Sequence, residues 1–200
     1  MTGRFISFEG GDGAGKTTQI ALLAEYIKST GVEVIVTREP GGTALGQKIR
    51  KALLHGEDLS PRTEALLYSA DRAHHAATVI RPALERGATV ITDRFVDSSV
   101  AYQGAARELG IDEIRDLNTW AVGGLSPELT ILLDVDPEIG ATRVGAEKDR
   151  LESAGVAFHR RVRQTFLELA AAEPDRFVIV DASRTVDEIA ADVRAGYERL

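Results

Sequence analysis

The sequence predicts an α/β fold built on a mostly parallel five-stranded sheet covered by helices on both faces, and three observations lead there. First, five short apolar runs rich in β-branched residues recur along the chain: 5–8, 32–37, 89–92, 130–135 and 177–180. Unbroken apolar runs of this length suit strands buried on both faces, as in parallel sheets. Second, helical patterns separate the runs, and strands alternating with helices define the α/β class. Third, the first run ends in a glycine-rich turn, Gly10-Gly11-Asp12-Gly13-Ala14-Gly15-Lys16-Thr17-Thr18, which opens directly into a helix.

The elements follow in order. After the glycine turn, Ile20, Leu23, Ala24 and Ile27 recur at helical spacing, and Gly31 offers a stop. The second run leads into Thr37-Arg38-Glu39-Pro40-Gly41-Gly42-Thr43, a turn and then a helix start. Ser60-Pro61 is a good cap and first-turn pair for a helix reaching about His75. The third run closes on Asp93-Arg94. Near the end, Thr185-Val186-Asp187-Glu188 has the capping-box pattern, followed by Ile189, Ala190 and Val193 on one helix face.

Composition narrows the function. The 200 residues are 44% hydrophobic and 28% charged, which suits one globular domain spanning 1–200. A net charge of −7 argues against non-specific binding of nucleic acid. The absence of cysteine excludes disulfides and zinc-thiolate sites. With no apolar stretch of membrane-spanning length and no leader-like segment, a soluble cytoplasmic protein is expected.

In open parallel sheets, ligands bind beyond the carboxyl ends of the strands, so the residues just after each run matter most. Gly10-x-x-x-x-Gly15-Lys16-Thr17, between a strand and a helix, is a P-loop. Its backbone N–H groups cradle phosphates, Lys16 reaches the β- and γ-phosphates, and Thr17 is a Mg²⁺ ligand. Asp93, at a strand end, has the place of a second carboxylate near that ion. Arg38 and Arg94, each just past a strand, form a second anion site, since guanidinium forks match phosphate oxygens. On the 60–75 helix Tyr68 and Arg72 share a face, an aromatic ring and a donor for a base. Tyr102 and Gln103 add a bulky wall and an amide able to read a base edge. Read by themselves, these two stretches also suit ordinary amphipathic helices.

The histidines carry no metal pattern: His74 and His75 are adjacent and point to different faces. Trp120, near Gly123-Gly124, is expected in the core or at a subunit contact. Arg160, Arg161 and Arg163 read as an exposed helix face.

The set Phe8-Glu9-Gly-x-Asp-Gly-Ala-Gly-Lys-Thr-Thr, Arg38-Glu39-Pro-Gly-Gly-Thr, Leu67-Tyr68-Ser-Ala-Asp-Arg72 and Asp93-Arg94-Phe-x-Asp-Ser98-Ser-x-Ala-Tyr102-Gln103-Gly closely resembles the bacterial thymidylate kinases. The resemblance spans nearly the whole chain in family order. It implies a three-layer P-loop fold with a small mobile lid at about 143–155, ATP and dTMP as substrates, Mg²⁺ and a homodimer. Carried over by position, Arg38 and Arg94 hold the dTMP phosphate, with Ser98 in the same site. Arg72 bonds the thymine O4 side, Gln103 contacts the base and Tyr68 stacks on it. Tyr102 crowds the sugar 2′ position, and Asp12 accepts from the 3′-hydroxyl. Some members place an arginine after the acidic residue of the loop, where this chain has Gly13. The resemblance then assigns the catalytic charge to the lid, with Arg150 first and Arg143 and Lys148 next. Catalysis is thus expected from Lys16, Arg94, Arg150 and Asp12. The alternatives are a P-loop kinase for a deoxynucleoside or small metabolite, and a non-catalytic ATP-binding regulator.

Overall fold

A computed structural model describes residues 3–144, 150–151 and 153–200. The five expected strands are β1 (Phe5–Glu9), β2 (Val34–Arg38), β3 (Thr89–Asp93), β4 (Leu129–Asp134) and β5 (Phe177–Asp181). They form one sheet in the order β2-β3-β1-β4-β5, and every neighbouring pair is parallel. The helices between them are α1 (Lys16–Ser29), α2 (Ala44–His55), α3 (Pro61–His75), α4 (Arg81–Glu85), α5 (Val96–Ser99), α6 (Ile111–Ala121), α7 (Pro137–Arg143), α8 (Val156–Ala172) and α9 (Val186–Tyr197). Two stretches are π-helical, Ala76–Ile80 and Val100–Ala106.

Alternate residues of each strand feed opposite layers, as the period of two requires. Ile6 and Phe8 of β1 pack with Ile131 and Leu133 of β4 against Ile20, Leu23 and Ile27 of α1 and Ile189 and Val193 of α9. Leu132 and Phe177 face the other side, toward α2, α3, α6 and α8. Phe5 packs there with Leu84, Val90 and Phe95. Each fully buried side chain of this kind contributes about 1.5–3 kcal/mol relative to exposure. Ser7, a polar residue inside β1, is satisfied by the Thr130 hydroxyl at 2.9 Å.

The caps form as the sequence predicts. Ser60 accepts from Thr63 N at the start of α3, and Thr185 and Glu188 make a complete capping box on α9. β1 lies between β3 and β4, so the chain reverses its direction of travel across the sheet beside β1. The register sets Phe8 beside Asp93 and Asp93 beside Arg38. The expected phosphate loop and both arginine turns therefore emerge at one edge. Of the expected lid, residues 145–149 and 152, Lys148 among them, lie outside the described residues.

Candidate active site

A cleft of about 730 Å³ opens at the carboxyl end of the sheet. Among the described residues, every expected site residue lines it except Gly10, Gly11 and Arg150. The turn after β1 wraps its floor. Lys16, at the start of α1, folds back so that Nζ donates to Gly10 O and Gly11 O, both at 3.0 Å. Burial and the neighbouring Arg94 pull its ammonium below the usual lysine range. Two cations in one buried cleft repel, and a bound polyanion relieves both.

Arg94 is held in an unusual backbone state, with φ 72°. Residues other than glycine rarely adopt it unless their surroundings over-determine it. Here they do. The Arg94 N–H donates to Phe8 O at 2.9 Å, and its Nη2 donates to Asp12 Oδ1 at 2.7 Å. Nη1 reaches Gly10 O at 3.2 Å and Ser98 Oγ at 3.1 Å, and the guanidinium lies 5.0 Å from the Tyr102 ring centre. Burial raises the Asp12 carboxyl, but Arg94 and Lys16 outweigh it and hold the group below its ordinary range. Asp12 stays ionised and aims the arginine.

Glu9, the last residue of β1, completes this corner, and no role was expected for it. It is fully buried, accepts from Phe95 N at 2.7 Å and takes the Ser98 hydroxyl at 2.6 Å. Burial, reinforced by Asp97, pushes its carboxyl up to about 8. Asp93 presents a different case: its Oδ1 is buried and makes no hydrogen bond. An orphaned carboxylate oxygen lining the same cleft as the Thr17 side chain fits a hard divalent cation, which prefers oxygen donors.

Arg72 is 1% exposed. Its Nε donates to Glu39 at 2.6 Å, Nη1 to Ser99 Oγ at 2.9 Å and to Asn118 Oδ1, and Nη2 to Phe95 O at 3.0 Å. Four of its five N–H groups are thus committed to the protein, leaving one for the cleft. Glu39 also binds His75 Nδ1 at 2.8 Å, and His75 Nε2 meets Thr37 Oγ1 at 2.7 Å. His75 is a fully buried histidine with both ring nitrogens satisfied. Glu39 stood inside a recognised motif, but its partners lie more than 30 residues away.

Of the expected lid cations, Arg143 and Arg150 are among the described residues. Arg150 does not reach the phosphate loop in this structure: its Nη2 donates to Glu64 at 2.7 Å and its Nε to Leu53 O at 3.2 Å. The buried Glu64 carboxylate supplies the physical reason, since it requires cations beside it. Arg143, at the end of α7, takes the nearer position, with Nη1 donating to Ala182 O at 2.9 Å and set 3.5 Å from Gly13 O. Arg160 and Arg161 lie exposed on α8 as expected, whereas Arg163 is half-buried and grips Asp134 with both Nε (2.7 Å) and Nη2 (2.8 Å). Trp120 is 82% exposed, which excludes a core position.

Sequence reasoning also missed the turn after β5. Arg184, Thr185 and Val186 line the cleft beside α1, where Gln19 Nε2 donates to Val186 O at 3.0 Å. The only local signal there was the capping box.

A P-loop on the central strand, a second group of cations in the same cleft and an aromatic-lined recess define a P-loop phosphotransferase. The thymidylate kinase family model matches residues 8–193, so the chain belongs to the thymidylate kinase family. Curated relatives agree. A thymidylate kinase of Clavibacter sepedonicus is 59% identical over 98% of this chain and 94% of its own length. One from Bifidobacterium longum strain DJO10A is 54% identical over the whole of both chains. One from Deinococcus radiodurans is 52% identical over 96% of this chain and 95% of its own.

Proposed function

We propose that this protein transfers the γ-phosphoryl group of ATP to dTMP, giving ADP and dTDP. The observation that carries the reading is that Lys16 of the phosphate loop lines one cleft together with two further cations, Arg38 and Arg94, from the ends of β2 and β3. A regulator that only binds ATP has no use for the second cation pair.

ATP lies along residues 10–18 with its base toward the turn at 184–186. The dTMP phosphate takes Arg94 and Arg38, with Ser98 behind Arg94. Tyr68 stacks on the base, Arg72 and Gln103 read its edge, Tyr102 walls the sugar, and Asp12 accepts from its 3′-hydroxyl. Two polyanions must meet in line, so the protein's work is positioning and charge neutralisation. A phosphate dianion is already a nucleophile, and no general base is needed. Lys16 neutralises the donor side, and Arg143 is the described lid-side cation best set to assist it. Thr17 and Asp93 would hold Mg²⁺. When bound, the ion offsets charge on the phosphate oxygens. A closing lid over 143–155 excludes water and so prevents wasteful hydrolysis. The protein acts as a cytoplasmic homodimer; no described helix is long and apolar enough to cross a membrane.

A coupled assay of ADP release across nucleoside monophosphates tests the activity. Turnover on dTMP is expected to exceed that on CMP and AMP at least tenfold in kcat/KM. Equal turnover overturns the reading.

A further inference from the structure

Glu64 sits in the first turn of α3, one helical turn before Tyr68 on the same face, and is 1% exposed. Donors from separate parts of the chain converge on it. Gln103 Nε2 donates to Oε1 at 2.9 Å, Arg150 Nη2 to Oε2 at 2.7 Å, and Arg107 approaches through Nε at 3.5 Å and Nη2 at 3.4 Å.

The two arginines suffice to balance the buried charge. What the third contact adds is orientation. An amide has a donor end and an acceptor end, whereas a carboxylate between guanidinium groups only accepts. Gln103 must therefore turn its nitrogen to Glu64, which leaves its oxygen as the end available to the cleft it lines. Arg72 contributes the opposite character, one uncommitted N–H. The recess thus offers an acceptor and a donor. A thymine edge carries an N–H at position 3 beside the O4 acceptor and satisfies both. Cytosine carries an acceptor at position 3 and an amino donor at position 4, and it meets both groups wrongly, leaving buried polar atoms unpaired.

We propose that Glu64 is a positioning residue for base selection. By accepting only, it fixes the Gln103 amide so that its oxygen meets an N–H at position 3 of the base, and the site thereby rejects cytosine. The inference rests on the reading of this cleft as a dTMP site.

The test is Glu64→Gln. The new amide can donate to the Gln103 oxygen, which frees Gln103 to offer its NH₂ to the cleft. The ratio of kcat/KM for dTMP over dCMP is expected to fall at least tenfold, chiefly through a raised KM for dTMP. The KM for ATP should change less than twofold. An unaltered protein active on dTMP with an unchanged ratio in the variant removes this role from Glu64 and leaves the kinase reading intact. An unaltered protein inactive on dTMP removes both. A variant too unstable to assay is replaced by a measurement on the unaltered protein with N3-methyl-dTMP, which keeps both base carbonyls but has no N–H to offer. Its KM should exceed that of dTMP at least tenfold, and equal values overturn the proposal.

Discussion

Glu9 shows how a single side chain links the sheet to the site, and its ionisation makes that link measurable. With its carboxyl pushed up to about 8, it keeps a proton at neutral pH that an unfolded chain loses near the ordinary glutamate range. Between those two values the folded state binds more protons than the unfolded state, so Glu9 makes stability fall as pH rises through that window. Glu9→Gln keeps an acceptor for Phe95 N and a partner for Ser98 but cannot ionise. Thermal melts from pH 5 to 8.5 are expected to show the variant gaining on the parent as pH rises, with the widest margin near pH 8.5. Parallel curves would show that the carboxyl ionises freely. The difference between the two proteins isolates Glu9 from Asp12, whose lowered carboxyl acts in the opposite sense and at lower pH.

Among the elements, α7 carries the closest approach to the phosphate loop. Gly13 has φ 74°, and a Cβ there would meet Gly140 O at 2.1 Å, while a Cβ on Gly140 would meet Asp12 O at 2.4 Å. The loop and α7 pack backbone to backbone, which also explains why no arginine could occupy position 13 in this arrangement. Gly140→Ala sets two effects against each other: about 1 kcal/mol of gained helix propensity and a clash with a fixed carbonyl, at about 1–3 kcal/mol for overpacking. Because the obstacle is backbone, the clash wins, and a melting point lower by about 2–8 °C is expected for a chain of this size. Arg143→Met, three residues on, should leave the melting point within a degree or two yet cut kcat at least tenfold. A full-speed Arg143 variant would return the catalytic charge to the lid beyond residue 144. These features also mark what the sequence could and could not disclose. The strands, the caps and the phosphate loop depend on neighbours within a few residues and were legible from pattern. The Gly13–Gly140 contact joins positions in different elements, and Glu64 meets partners on two segments far from it in sequence. Nothing local to Gly140, Glu39 or Glu64 announces such contacts, because the fold creates them. The contact of Arg150 with Glu64 was hidden for the same reason: its buried partner is invisible until α3 is in place.

At the scale of the molecule, one exposed side chain outside the cleft stands out by its size. Trp120, the only tryptophan, is 82% exposed on α6, and Leu66 on the adjoining α3 is 57% exposed. The two helices pack against each other, so both side chains belong to one side of the sheet. A lone exposed leucine is ordinary, but tryptophan is depleted from free surfaces and enriched at the buried centres of interfaces. A second copy of this chain is the partner proposed for it. With −7 on each chain, net charge opposes self-association, and the contact must draw its strength from apolar burial. Association should therefore weaken at low salt, where repulsion is least screened. Sedimentation at micromolar concentration is expected to give twice the mass of one chain. The single tryptophan serves as its own reporter: its emission should shift to the blue as dilute protein is concentrated. Trp120→Asp adds two more charges of the repelling sign to a dimer and removes both rings, and it should sediment as one chain while melting within a few degrees of the parent. A parent that sediments as one chain at every concentration, or an emission maximum independent of concentration, would rule out a second copy as the partner of this face.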